Sequence, residues 1–175
     1  MNNTYDTLKL RGSVDINVYG PDGELKENRY IPNLVVQAGK NYIATRMIGT
    51  SNATAVSTTN STTACMTHMA IGTSNVSTLV TDSTLGTEVA VAGDIGAYSR
   101  ATVGSTTQTT GVVTYVAVFG TNNPQRVNSS NTTAITEAGI FNDPSAGTML
   151  CRTTFAAVNK GNDDTLQITW SITVS

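Results

Sequence analysis

Charge is what this 175-residue chain has least of: only 13% of its residues are Asp, Glu, Lys or Arg, about half the usual density. No stretch concentrates Lys or Arg and the formal net charge is −2, so the electrostatic footprint of a nucleic-acid binder is missing. No apolar run approaches the roughly 18 to 20 residues of a membrane span. The opening Met1-Asn2-Asn3-Thr4 has neither a charged nor an apolar leader region, and the expectation is a soluble chain without a Sec-type signal or membrane partner. Two cysteines, Cys65 and Cys151, are too few for a disulfide framework, and both are expected as buried free thiols. One histidine, His68, leaves little room for acid–base chemistry.

What fills the chain instead is short and neutral. Thr, Ser and Asn contribute 31, 14 and 16 residues, 61 of 175 positions. Thr is β-branched, and Ser and Asn compete with the helical backbone for hydrogen bonds, so the composition favours strands and turns and excludes an all-helical fold. Six N-x-S/T triplets occur, at Asn2, Asn52, Asn60, Asn75, Asn128 and Asn131. Chance at this composition gives roughly four, so they are not evidence of glycosylation.

Along the chain, Leu8, Leu10, Val14, Ile16 and Val18 alternate with polar residues, and Gly20-Pro21-Asp22-Gly23 is turn chemistry. Residues 1–32 therefore read as an N-terminal β-hairpin, a docking arm in which Lys9, Arg11, Lys26 and Arg29 are the candidate contact residues. Residues 33–175 form the body. Leu34, Val35, Ala38, Tyr42, Ile43 and Met47 fall on one helical face, giving one helix at about residues 35–48 with Gly49 past its end. Residues 50–64 and 120–133 read as long polar loops, with short strands at 66–71 and 96–103. Val112–Phe119 is apolar enough to be a strand buried on both faces. Strands at 134–142, 148–158 and 166–174 follow, separated by turns at 143–147 and 159–164. The fold class is mainly β: an antiparallel β-sandwich or jelly-roll-like barrel with one α-helix and the N-terminal hairpin.

No catalytic constellation emerges. No nucleophile elbow accompanies His68, and Cys65-x-x-His68 lacks the further ligands of a zinc site. Asp82, Glu88, Asp94, Glu137, Asp163 and Asp164 show neither the pairing of a glycosidase nor EF-hand spacing. The expectation is a non-enzyme with no catalytic residue, cofactor or metal. Glu137 and Arg152, on strands joined by the Gly147 turn, are expected to pair across the sheet. Tyr115, Phe119, Phe141, Phe155 and Trp170 are the candidate core or subunit-interface residues, and a surface of this kind suits a homo-oligomer.

Three segments carry a family resemblance. Asn33–Ala44, then Met69–Ser74 with Asp82–Glu88, then Ala134–Asn142 through Gly147–Phe155 form an ordered set, closed by the Asp164–Ile172 stretch. It resembles small virion proteins of tailed bacteriophages, with Glu88-Val89-Ala90-Val91 standing where an arginine usually follows. Relatives of that type are capsid decoration or tail-fibre and tail-tip components. The resemblance implies a capsid decoration, or cement, protein on the virion surface. It would be a homo-oligomer, expected as a trimer, binding and stabilising the shell of major capsid protein. The alternative is a tail-fibre, baseplate or receptor-binding module touching the host through one of the two long loops.

Overall fold

The computed structural model describes residues 10–48, 65–89, 100–109, 112–121, 123 and 132–174. They form eight antiparallel strands and one helix: β1 (Leu10–Tyr19), β2 (Leu25–Val35), α1 (Gln37–Ile48), β3 (His68–Gly72), β4 (Ala101–Thr109), β5 (Val112–Phe119), β6 (Thr132–Phe141), β7 (Met149–Gly161) and β8 (Thr165–Val174). The strands close a barrel in the order β1-β2-β7-β6-β3-β4-β5-β8. No described helix is long and apolar enough to cross a membrane.

Closure is uneven around the barrel. β2, β1, β8, β5 and β4 make one broad sheet with long registers, and β7, β6 and β3 make a second. Among the described residues the two sheets are joined by the ladder pairs Leu34↔Arg152 and Val35↔Cys151 on one side and His68↔Thr102 and Met69↔Ala101 on the other, each extended by one backbone hydrogen bond, Val36 N–H to the Leu150 carbonyl and Val103 N–H to the Thr67 carbonyl. Both joints have a sequence cause. Pro32 has no N–H to give a ladder, and just beyond it β2 turns toward β7. In β4 the register shifts between Val103 and Ser105, at Gly104. The fold is thus a sandwich whose corners are stitched into a barrel.

Alternation builds the interior. In β1, Val14, Ile16 and Val18 are buried while Asp15 and Asn17 face out and accept hydrogen bonds from Asn28 Nδ2 at 2.7 Å each. Trp170, Ile168 and Leu166 do the same in β8, and Phe119, Ile135, Ile140 and Val158 complete the core. Tyr42 and Ile43 of α1 pack against it. The β1–β2 turn places Gly23 at φ 80°, a conformation that Gly adopts without cost.

Several expectations shift. The hairpin is not an arm standing apart from a body: β1 pairs with β8 along its whole length and the expected 32/33 boundary falls inside β2. The helix begins at Gln37, because Val35 still belongs to β2. β4 starts at Ala101 and runs on to Thr109, so the expected 96–103 strand overlaps it only in part; residues 96–99 lie outside the described residues. β3 is His68–Gly72 rather than 66–71. β5 is not buried on both faces: Ala117 and Phe119 are buried but Val118 is 49% exposed, as befits an antiparallel strand with one face in water. β7 extends through Gly161, leaving a shorter turn than expected. Cys151 is buried but Cys65 is exposed. The loop at 50–64, most of 120–133, Lys9 and Asp94 lie outside the described residues.

Gly39 tests how α1 is seated. A Cβ there would fall on the carbonyl of Leu150 in β7, so the first helical turn lies directly on that strand. Gly39→Ala is expected to destabilise the fold by about 1–3 kcal/mol through overpacking, read as a lower unfolding midpoint in denaturant.

Candidate functional site

The densest polar chemistry lies on the outer face of β6 and β7. The β6 register shifts between Ile135 and Glu137, turning Ile135, Ala138 and Ile140 inward and Glu137, Gly139 and Phe141 outward. Across this face runs the segment 73–88. It covers a second, small apolar cluster of Val36, Ala70, Leu85, Phe141 and Met149. Gly139 makes the close approach possible, since a Cβ there would lie 3.0 Å from Leu85 Cδ2 and 3.1 Å from the Cys151 carbonyl oxygen.

Glu137, with no exposed surface, is the anchor. Its Oε1 accepts the backbone N–H of Thr87 at 2.7 Å and of Ser74 at 3.2 Å. Its Oε2 accepts Gly86 N–H at 2.9 Å and Arg152 Nε at 2.8 Å. Arg152, equally buried, donates from Nη1 to Asp82 Oδ2 at 2.7 Å and from Nη2 to the Val76 carbonyl at 3.2 Å. Asp82 Oδ2 also accepts Leu79 N–H at 2.9 Å. One ion pair thereby holds five points of a single loop, and the expected Glu137–Arg152 pairing is its centre.

A second clamp stands beside the first. Arg100 donates to both oxygens of Glu88 at 2.8 and 3.0 Å, and to the carbonyls of Asp143 and Ala146 at 2.8 and 2.6 Å. Its guanidinium lies 3.7 Å over the Phe141 ring. A shallow cleft of about 420 Å³ opens between Ser83–Leu85 and Ser145–Gly147, with Glu88 and Arg100 at its floor. Because these donors are spent on the fold, Arg100 is a structural tie between two loops.

The clamps leave an apolar crest in water. Val76, Leu79 and Val80 are 64%, 58% and 41% exposed on the pinned loop. Sequence reading missed this crest, because Val76 and the Leu79-Val80 pair stand among Ser, Thr and Asn with no helical or strand period.

The residues singled out in the sequence do not meet at one place. Lys26 bonds Asp164 at 3.0 Å and Arg29 bonds Glu27 at 2.7 Å. Arg11 is exposed near the opposite end of β1, so the expected basic contacts are strung along the hairpin. Trp170 and Phe119 are wholly inside the barrel, Phe141 is in the outer cluster, and Tyr115 and Phe155 are partly buried against the core. Burial, with Tyr42, Cys151 and Cys65 nearby, pushes the Tyr115 hydroxyl up to about 12. His68 shares a hydrogen bond with Thr67 Oγ1 at 2.9 Å, and burial together with the Arg100 charge lowers its pKa, so the ring is neutral at pH 7. Asp163 is exposed, while Asp164 is buried between Lys26 and the Gly161 N–H. Among the described residues no three His, Cys, Asp or Glu side chains come together as metal ligands.

Acid acts on these ties in a defined direction. Burial raises the Asp82 carboxyl, but the Leu79 N–H and Arg152 outweigh it and hold it below its ordinary value of 3.8. In Asp164, burial is likewise outweighed by the Gly161 N–H and Lys26, and in Asp143 the N–H groups of Ser145 and Ala146 lower it. Each carboxylate is more acidic folded than unfolded. Its contribution is thus complete at neutral pH and is lost as the pH falls below about 4 through the folded values. Thermal unfolding followed from pH 7 downward should show this loss, with a shallower slope for Asp82→Asn.

No protein-family model matches the chain, and neither a curated protein nor a solved structure matches it, so its geometry is the ground on which function is read.

Proposed function

We propose that this chain is a virion structural protein of a tailed bacteriophage: a homo-oligomeric capsid decoration protein that binds the major capsid protein and stabilises the shell. One observation carries the reading. Of the segments on which the resemblance rests, Met69–Ser74, Asp82–Glu88, Ala134–Asn142 and Gly147–Phe155 each send a residue into the clamp that stiffens the 73–88 loop, while Asn33–Ala44 and Asp164–Ile172 lie apart from it. A loop so heavily tied, ending in an apolar crest, suits a fixed contact with another protein: little conformational entropy remains to be lost on docking. Many such copies on a lattice turn weak single contacts into firm attachment.

The test is thermal release of genome from particles carrying variants. The double change Val76→Asp and Leu79→Asp should leave the fold intact and abolish protection, whereas His68→Ala should protect like the parent. Full protection by the crest variant would overturn the reading.

A further inference from the structure

A barrel that is closed by two residue pairs at one joint leaves strand edge exposed elsewhere. β2 pairs with β1 from Leu25 to Asn33, but on its other side it meets β7 only at Leu34 and Val35. At Pro32 the β7 side is served by a side chain, with Thr153 Oγ1 donating to the Pro32 carbonyl at 2.8 Å. From Leu25 to Ile31 no described residue pairs with this edge. Side chains on both faces of the strand reach water, although Ile31 packs partly against the core. Tyr30 is 73% exposed on one face, and the Arg29 side chain is 45% exposed on the face that carries Val14, Ile16 and Val18 in neighbouring β1. Such an edge is a template for another strand unless something opposes it.

We propose that the occupant is a second copy of this chain, joined through β2 in antiparallel pairing about a two-fold axis centred on Asn28. The order of charges along β2 selects this occupant. In that register residue 27 lies opposite residue 29 of the copy, so Glu27 meets Arg29 twice, once on each side of the axis. Leu25, 55% exposed, lies opposite Ile31, and Lys26 lies opposite Tyr30. Opposite charges in directly facing positions stabilise a pair of strands, and like charges destabilise it. The segment is therefore self-complementary when antiparallel. Another free stretch of edge, Ser105–Thr109 of β4, carries no charge and specifies no register. The contact is isologous and gives a dimer, an even order in place of the trimer expected from the resemblance. It does not depend on the proposed virion role.

Sedimentation equilibrium on the purified chain tests the pairing through a charge-reversal set. Arg29→Glu places Glu opposite Glu twice, and Glu27→Arg places Arg opposite Arg twice; each should raise the dimer dissociation constant by about tenfold or more. Mixing the two variants makes every facing pair complementary again and should restore dimers containing one chain of each. The mixture separates this contact from loss of the Glu27–Arg29 bond within one chain, which neither variant retains. Far-ultraviolet circular dichroism checks that both remain folded. A parent that stays monomeric at high micromolar concentration, variants that dimerise like the parent, or a mixture no tighter than its components each overturns the proposal.

Discussion

Arg152→Ala should cost about 3–5 kcal/mol of folding stability, because it leaves the fully buried Glu137 carboxylate without its charge partner. The loss is larger than that of an exposed pair, whose usual worth is roughly 0 to 1 kcal/mol, as for Arg29 with Glu27 at the surface. Removing both charges together, as Glu137→Leu with Arg152→Met, should recover much of that stability while still freeing the loop. Glu137 alone accepts the N–H groups of Ser74, Gly86 and Thr87, and no apolar residue replaces those bonds. Denaturant unfolding measures the first effect, and the rate of proteolytic cleavage within residues 73–88 measures the second. A double variant that is stable but protected from cleavage would show that the apolar cluster under Leu85, not the ion pair, holds the loop.

Trp170→Ala should cost a similar amount, about 3–5 kcal/mol out of a typical total of roughly 5–15 kcal/mol. The ring has no exposed surface and sits in β8 between Val14 of β1 and Tyr115 of β5, where the two long registers of the broad sheet cross. Its Nε1 has no hydrogen-bond partner among the described residues. Trp170→Phe therefore abandons no bond and should cost much less than the alanine change. An alanine variant with an unchanged unfolding midpoint would place the ring outside the core. Because the side chain is interior, the loss should appear in isolated chains as well as in assemblies, which an inter-subunit anchor would not show.

How far the fold was legible depended on whether a segment announced its own environment. β1, β8 and the Gly20–Gly23 turn were readable because alternation and positive-φ glycine are local signals. Glu137 with Arg152 was readable because a turn set them on adjacent strands. β5 misled because apolar composition does not distinguish a strand covered twice from one with Val118 in water. β4 was misplaced because Ser105–Thr109 carries no apolar period at all; its strand structure comes from β-branched residues paired with β5. In sequence Lys160 reads as turn material, yet its ammonium group is buried and donates to the carbonyls of Gly120 at 2.9 Å and Gly161 at 3.4 Å. The loop clamp escaped notice because its partners, Asp82 and Arg152 or Glu88 and Arg100, are brought together only by tertiary structure.

The most direct measurement of the central claim is an image of the intact particle at a resolution that places this chain. The account predicts its density on the outer surface of the head, with the Val76–Val80 crest against the major capsid protein. Density confined to the tail or its tip, with a bare head surface, would contradict it.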